Sequence, residues 1–157
     1  MAKPIPDGFH TVTPHIYVSN ARQAIDHYKK AFGAEERGFM AGPDGKCMHA
    51  EIRIGDSIVM LNDEFPQWNV KGPKTLGGVV STLHLFVNDV DASFAKATAA
   101  GCEAMMPPTD MFWGDRYSKV RDPFGHEWAI ATRKEDLTPE QTRQRAQEFF
   151  AKSGKHG

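Results

Sequence analysis

The chain has few cysteines and no long apolar run. Two cysteines in 157 residues, Cys47 and Cys102, are too few for a disulfide framework, and both are expected to be buried in a reducing compartment. No apolar run reaches the roughly 20 residues that cross a bilayer. The opening residues 1–7 contain proline and lack the apolar core of a signal peptide. These absences argue against a secreted or helical membrane protein and predict a cytoplasmic one.

An excess of charge of one sign is also lacking. The chain carries 19 Lys and Arg residues against 20 Asp and Glu residues, and the basic residues form no cluster in the sequence. A protein that binds nucleic acid by neutralising phosphates needs such a cluster. Glycine-rich phosphate loops and a nucleophile elbow are missing as well. The sequence therefore argues against nucleic acid and membrane partners, and it predicts a small-molecule partner.

What the chain does have is an internal repeat. Pro14–Asn20 matches Leu83–Asp89 at an offset of 69 residues, and helix-like sequence follows each run. Such a repeat predicts two copies of one unit, here two βαβββ modules. The expected fold class is α+β, with curved mixed sheets that enclose a cavity. The predicted boundaries are 11–63 for the first module, 64–78 for a linker or lid, 79–133 for the second module and 138–151 for a C-terminal helix.

Apolar periodicity and turn residues predict the separate elements. The predicted strands are 11–18, 35–41, 46–54, 57–62, 79–87, 103–106, 117–121 and 126–132, and the predicted helices of the modules are 21–32 and 90–100. Pro107 and Pro108 are expected to end the strand that precedes them. The C-terminal helix is predicted to begin at the N-cap Thr138, with Pro139 in its first turn and a capping box completed by Gln141.

Several motifs together resemble a known family. They are Thr13–Val18, Ala24–Ala34, Trp113–Tyr117, Asp122–Trp128 and Glu135–Glu140. The chain resembles the vicinal oxygen chelate superfamily, which includes glyoxalases, bleomycin-resistance proteins and extradiol dioxygenases, and within it the PhnB-like group. The resemblance implies paired βαβββ modules around a cavity and a homodimer. It does not specify an activity, because one fold hosts many.

The same resemblance implies where a divalent metal would be held. Counted along the family pattern, the four ligand positions fall on Thr13, Met60, Thr82 and Ala129. None of these offers the imidazole, carboxylate or thiolate that Zn²⁺, Mn²⁺ or Fe²⁺ prefers. We therefore expect the fold without the usual metal site, and no cofactor. A displaced divalent metal on His15, His84 and Glu51 is the alternative.

Strand alternation suggests a ligand site, because residues two apart share one face of a sheet. His15 and His84 would then occupy equivalent positions in the two modules, and with Glu51 they are the candidate catalytic residues. The candidate ligand-binding residues are Tyr17, His49, Phe86, Trp113, Arg116 and Tyr117. Arg116 is expected to clamp an anionic group of the ligand, or alternatively to pair with Asp115 or Asp122 and tie its loop down.

Three functions compete at this point. The first is a PhnB-like protein that binds a small, anionic or aromatic organic ligand. The second is a metal-dependent lyase, isomerase or dioxygenase that uses the displaced His and Glu set. The third is a protein-interaction module that presents the apolar stripe of the C-terminal helix, Ala146, Phe149 and Phe150. Docking of that helix on the body of the fold is the alternative reading of the same stripe.

Overall fold

The computed structural model describes residues 1–154. Its elements in chain order are β1 His15–Val18, α1 Ala21–Phe32, β2 Glu35–Ala41, β3 Cys47–Ile54, β4 Ser57–Asp63, α2 Pro73–Leu76, β5 Thr82–Phe86, α3 Val90–Ala99, β6 Glu103–Asp110, β7 Asp115–Arg121, β8 Glu127–Arg133 and α4 Pro139–Ser153. None of the helices in this part of the chain has the length and apolar character needed to cross a membrane.

The two modules repeat one topology. The first sheet has the strand order β1-β4-β3-β2 and the second has the order β5-β8-β7-β6. In each sheet the first strand of the module runs parallel to the last, and the other neighbours are antiparallel. The predicted α+β class and the duplicated modules are confirmed. Neither sheet closes on itself, so β1 and β5 are both edge strands.

Local signals place α1 where the sequence predicts it. The Asn20 side chain accepts a hydrogen bond from the backbone N–H of Gln23 and so caps the first turn. Gly33 ends the helix in the left-handed conformation at φ 67°. Between these ends, Ala24, Ile25 and Tyr28 face the core and are fully buried. The helix predicted over 21–32 is therefore confirmed at both ends.

The expected break at the two prolines is wrong. Strand β6 continues through Pro107 and Pro108 to Asp110, with its pairing to β7 shifted between Met106 and Thr109. β6 is the edge of its sheet, so one side of its backbone needs no partner and tolerates residues that lack an N–H. The linker also holds more structure than expected, namely a 3₁₀ turn over Pro66–Trp68 and the short helix α2.

The modules are joined by a buried carboxylate. Asp122, in the turn between β7 and β8, is 3% exposed. Its Oδ2 accepts hydrogen bonds from the Tyr28 hydroxyl at 2.6 Å and from the Trp128 indole at 2.9 Å. Its Oδ1 accepts from the backbone N–H groups of Phe124 and His126. Burial, and then the neighbouring carboxylate, raise the pKa of Tyr28 well above its usual value. One side chain thus ties α1 of the first module to the last hairpin of the second.

A buried histidine adjoins this junction. The Nε2 atom of His27 lies 3.4 Å from the Sγ atom of Cys102, and both residues are buried. Burial lowers the pKa of His27, an effect that the Asp122 charge partly offsets. Burial also raises the pKa of the Cys102 thiol to about 12, so the group is an inert thiol at neutral pH. Both cysteines are buried and free, as the sequence predicts.

The lowered pKa of His27 predicts a pH effect on stability. As pH falls below the ordinary histidine value of about 6.5, the unfolded chain binds a proton that the folded chain does not. The free energy of unfolding should therefore fall between pH 7.5 and pH 5.5. Urea titrations should show a smaller fall in a His27→Gln variant than in the parent. A His10→Gln variant, changed at an exposed histidine, should retain the parent's fall. If the free energy of unfolding fell equally in the parent and in His27→Gln, the pH effect could not be assigned to His27.

The C-terminal helix begins as predicted and lies on the body of the fold without burying any of its residues. The capping box between Thr138 and Gln141 is present, with both reciprocal hydrogen bonds made. No residue of α4 is buried. The Phe112 ring lies 5.3 Å from the Phe149 ring and 6.0 Å from the Phe150 ring. The helix therefore contacts the body through these rings and through Arg145, which donates to both oxygens of Glu135, and partner binding through its stripe stays a prediction.

Candidate functional site

A polar and aromatic cluster covers the outer face of the first sheet, the face turned away from the helices. We call it the histidine face and define it by His15, Tyr17, His49 and Glu51. The register aligns His15 with Met60 and Met60 with Glu51, so the three strands present these side chains on one surface. The rings of His15 and Tyr17 are 5.5 Å apart, and those of His15 and His49 are 6.1 Å apart.

Hydrogen bonds orient the groups of the histidine face. His15 Nε2 donates to the Oδ1 atom of Asn62 at 2.5 Å. The amide nitrogen of Asn62 donates to the backbone carbonyl of Asp63, which fixes the amide orientation. His49 Nε2 donates to Glu51 Oε2 at 3.0 Å. These bonds occupy the Nε2 atom of each imidazole ring and leave its Nδ1 atom available to a ligand.

The outer face of the second sheet carries a run of rings. We call it the ring face and define it by His84, Phe86, Trp113 and Tyr117. The ring centroids of His84 and Phe86 lie 4.5 Å apart, those of His84 and Tyr117 lie 6.0 Å apart, and those of Tyr117 and Trp113 lie 5.8 Å apart. Phe86 is 69% exposed, so the run is open to solvent. Trp113 is held by a hydrogen bond from its indole nitrogen to Asp115.

Beyond the ring face, the same surface is charged but paired. Lys119 Nζ lies 2.9 Å from a Glu127 oxygen, and Arg121 contacts both Glu127 and Glu103. Lys119 aligns with Ala129, and Ala129 with His84, so these ion pairs adjoin the rings. Because each cation already has a carboxylate partner, this part of the sheet presents little net charge to a ligand.

Arg116 does not share the ring face. Its guanidinium donates to both oxygens of Asp91, at 2.9 and 3.0 Å, and to Asp110 at 3.3 Å. Those carboxylates raise the pKa of Arg116 and hold its charge in place. Arg116 and Tyr117 are adjacent on β7, so they point to opposite faces.

Two expectations for Arg116 are therefore corrected. The ion pair with Asp115 or Asp122 is wrong in its partners, because Asp115 accepts from Trp113 and Asp122 belongs to the buried junction. A ligand clamp beside His84 is wrong in its placement, because the guanidinium lies across the sheet from that ring. The sequence showed a charged loop residue but could not show that α3 supplies its partner, Asp91, from 25 positions away.

The displaced metal set is not assembled within one chain. His15 has Tyr17 and His49 as its ring neighbours, whereas His84 has Phe86 and Tyr117. Across residues 1–154, no group of three or more His, Cys, Asp or Glu side chains is placed to hold a metal ion. The grouping of His15, His84 and Glu51 around one ion is therefore wrong for the single chain.

The four positions implied by the resemblance do not fit a divalent metal either. The Thr13 hydroxyl donates to the backbone carbonyl of His10, and Ala129 is buried without a donor atom in its side chain. Met60 and Thr82 supply a thioether and a neutral hydroxyl, which are weak ligands for such ions.

Sequence reasoning missed a cleft between the modules, which runs along the free edge of β5 and is lined by His84 and Phe86 as well as by Leu83 and Leu85. The cleft has a volume of about 980 Å³. Apolar side chains form its walls, namely Phe32, Ile54, Leu83, Leu85, Trp128 and Ile130. One signal could have revealed it, because the repeat aligns the bulky Phe124 with Gly55, which has no side chain to fill the equivalent space.

Comparison with known proteins identifies relatives of the whole repeat. The model of the glyoxalase/bleomycin resistance protein/dioxygenase superfamily matches residues 8–130. The uncharacterized protein Mb0911c from Mycobacterium bovis is 48% identical over 122 residues, which cover 76% of this chain and 80% of that protein.

Solved structures share the fold. TioX from Micromonospora sp. ML1 matches with a TM-score of 0.64 and 27% identity, over 79% of this chain and 98% of TioX. The PhnB protein from Bacillus cereus matches with a TM-score of 0.62 and 16% identity, over 78% of this chain and 99% of its own, and that likeness is one of fold. The superfamily resemblance carried by the sequence motifs is confirmed.

Proposed function

Because the chain belongs to the glyoxalase/bleomycin resistance protein/dioxygenase superfamily, we propose that it binds a small organic ligand between the histidine face and the ring face. The observation that carries the proposal is the uncovered run of rings on the second sheet. Phe86 is 69% exposed and adjoins His84 and Tyr117. Leaving contiguous apolar rings in water costs free energy, so such a surface favours a ligand or partner that covers it.

The chemistry of the two faces favours an aromatic ligand. Trp113, Tyr117 and Phe86 offer ring faces and edges for stacking. The histidines supply hydrogen bonds and can exchange a proton near neutral pH. A dedicated anion clamp is not part of the proposal, because Arg116 is engaged with Asp91 and Asp110 and Lys119 with Glu127. Of the two ligand classes that the sequence suggested, the aromatic one therefore has the better support.

A second copy of the chain completes the proposed site. The strands β1 and β5 are unpaired edges, and exposed edges are normally covered in native proteins. Pairing β1 of one protomer with β5 of its partner would set a histidine face beside a ring face. His15 and His84, which occupy equivalent positions in the two modules, would then approach each other across the dimer. The proposed molecule is thus a homodimer with two equivalent sites, as closed two-fold symmetry requires.

The test uses 2-naphthol, a neutral two-ring probe, and isothermal titration calorimetry on the full chain. We expect one molecule bound per chain. His84→Ala should weaken binding about tenfold, the scale of a lost hydrogen bond together with a lost ring contact. Phe86→Ala should weaken it by a comparable factor.

Leu76→Ala is the matched control, because Leu76 is an equally exposed apolar side chain on α2. It should bind the probe as the parent does. If His84→Ala and Phe86→Ala both fold normally and bind 2-naphthol like the parent, the ring face is not the site.

A further inference from the structure

The run of rings on the second sheet does not end at Trp113. The ring face crosses the sheet from Phe86 on β5 to Trp113 in the turn between β6 and β7. The Phe112 ring lies 5.0 Å from the Trp113 ring, and it lies 5.3 Å from the Phe149 ring of α4. Phe150 adjoins both phenylalanines, at 6.0 Å from Phe112 and 5.4 Å from Phe149. Neighbouring rings therefore connect the ring face to the C-terminal helix.

We call Phe112, Phe149 and Phe150 the α4 rings. Their contacts with one another do not bury them, because Phe149 is 43% exposed and Phe150 is 64% exposed. A stripe that served only to dock the helix would be covered by the body of the fold. Instead, apolar rings are left in water beside another exposed aromatic surface, which favours a ligand that covers both.

The turn that carries Trp113 and the segment that leads into α4 are also joined through the backbone. The carbonyl of Gly114 accepts hydrogen bonds from the N–H groups of Lys134 and Glu135, at 2.9 and 3.0 Å. A Cβ atom on Gly114 would stand 2.9 Å from the carbonyl oxygen of Glu135, so the close approach requires glycine. Arg145 of α4 then donates to both oxygens of Glu135, each at 2.9 Å. These bonds hold α4 beside the end of the ring face.

The α4 rings lie away from the strand edge that the proposed dimer covers. Strand β5 is one edge of the second sheet and β6 is the other. The pairing proposed between protomers uses β5, whereas the turn 111–114 joins β6 to β7. That pairing would therefore leave the α4 rings open, at the end of the site opposite to the partner's histidine face.

The charged groups around the α4 rings are already paired. Arg145 is engaged with Glu135, and the Arg133 guanidinium lies 2.8 Å from an Asp136 oxygen. Exposed pairs of this kind present little net charge to a ligand. The faces and edges of three phenylalanine rings favour an uncharged aromatic group, which can stack on them or meet them edge to face.

We propose that the α4 rings form a distal subsite of the ligand site. The ligand would then carry two aromatic groups joined by a short link, one lying on the ring face and the other packing against Phe149 and Phe150. This inference rests on the function proposed above, and it adds the length of the ligand and its second aromatic group.

The test is a calorimetric titration of the full chain with 2-naphthol and with 6-benzyl-2-naphthol, which adds a phenyl group through one methylene. The parent should bind the longer probe about tenfold or more tightly than 2-naphthol, the scale of burying one further ring in aromatic contacts. Phe150→Ala should remove most of that gain and leave the affinity for 2-naphthol unchanged. Gln144→Ala, at an exposed position of α4 that carries no ring, should retain the gain.

Hydrogen exchange of the parent provides a second measurement that needs no variant. No residue of α4 is buried, so we expect its amides to exchange through easy local opening. At a free concentration ten times its Kd, 6-benzyl-2-naphthol should slow exchange around Phe149 and Phe150 about tenfold, since a bound ligand must leave before the helix opens. 2-Naphthol at the same saturation should leave this exchange unchanged.

Three outcomes would overturn the subsite. The first is a parent that binds both probes with equal affinity. The second is a Phe150→Ala variant that loses both probes alike, because α4 would then support the site without touching the ligand. The third is a mass above that of a dimer in light scattering that Phe150→Ala lowers, which would assign the α4 rings to association between chains. A parent that binds neither probe would instead remove the proposed function itself.

Discussion

Replacing Asp122 with alanine is expected to lower the free energy of unfolding by about 3–5 kcal/mol, the scale of breaking a buried, fully bonded charged group. The change would leave four hydrogen-bond donors without their acceptor. They are the Tyr28 hydroxyl, the Trp128 indole and the backbone N–H groups of Phe124 and His126. Urea titration measures the loss directly. In a thermal scan it should lower Tm by about 10 °C, at roughly 2–4 °C per kcal/mol for a chain of this size.

The size of this effect follows from where the carboxylate lies. Asp122 is 3% exposed, so water cannot replace the lost acceptor for the Tyr28 and Trp128 donors. Asp136→Ala is the matched control, because its side chain is 91% exposed. A variant of Asp122 that unfolds within about 1 kcal/mol of the parent would show that the junction does not hold the modules together.

Two variants that each bind 2-naphthol more weakly than the parent are expected to regain the parent's affinity at some of their sites when they are mixed. In the proposed dimer, each site takes His15 from one protomer and His84 from its partner. A His15→Ala dimer and a His84→Ala dimer then contain only damaged sites. After subunit exchange, half of the dimers would be mixed, and each would carry one undamaged site and one doubly damaged site. About a quarter of all sites should therefore bind 2-naphthol with the parent's affinity.

Calorimetry before and after exchange measures the recovery. Light scattering provides the independent check, and the mass should be twice the 17.5 kDa of the chain. A single chain carrying both changes supplies the control, since its dimers have no undamaged site to recover. A mass near 17.5 kDa, or a mixture that binds no better than its components, would show that the site is not shared between protomers.

The position of β6 shows what local sequence can and cannot determine. The paired prolines do interrupt a strand in the interior of a sheet, and the expected break rested on that. Whether a strand is interior or at an edge depends on the order of strands, which long-range pairing sets. Because β6 is an edge, Pro107 and Pro108 are tolerated within it and the strand runs on to Asp110.

The candidate site likewise has features that local sequence predicts and features that it does not. Alternation along β1 and β5 predicts correctly that His15 shares a face with Tyr17 and His84 with Phe86, since the period of two is a local property of strands. Alternation could not show whether the histidine face and the ring face meet. In the structure α1 packs against the last strand of the other module, through Tyr28 and Trp128, and leaves both outer faces uncovered.

The sequence by itself determined the repeat, the two βαβββ modules, the caps of α1 and α4 and the face on which each strand residue lies. These depend on neighbours within a few positions or on a spacing that recurs along the chain. Only the tertiary structure decided the partners of Arg116, the burial of Asp122 and the cleft beside Gly55. Each of these brings together residues from elements distant in sequence, and that packing is settled by the fold as a whole rather than by any local pattern.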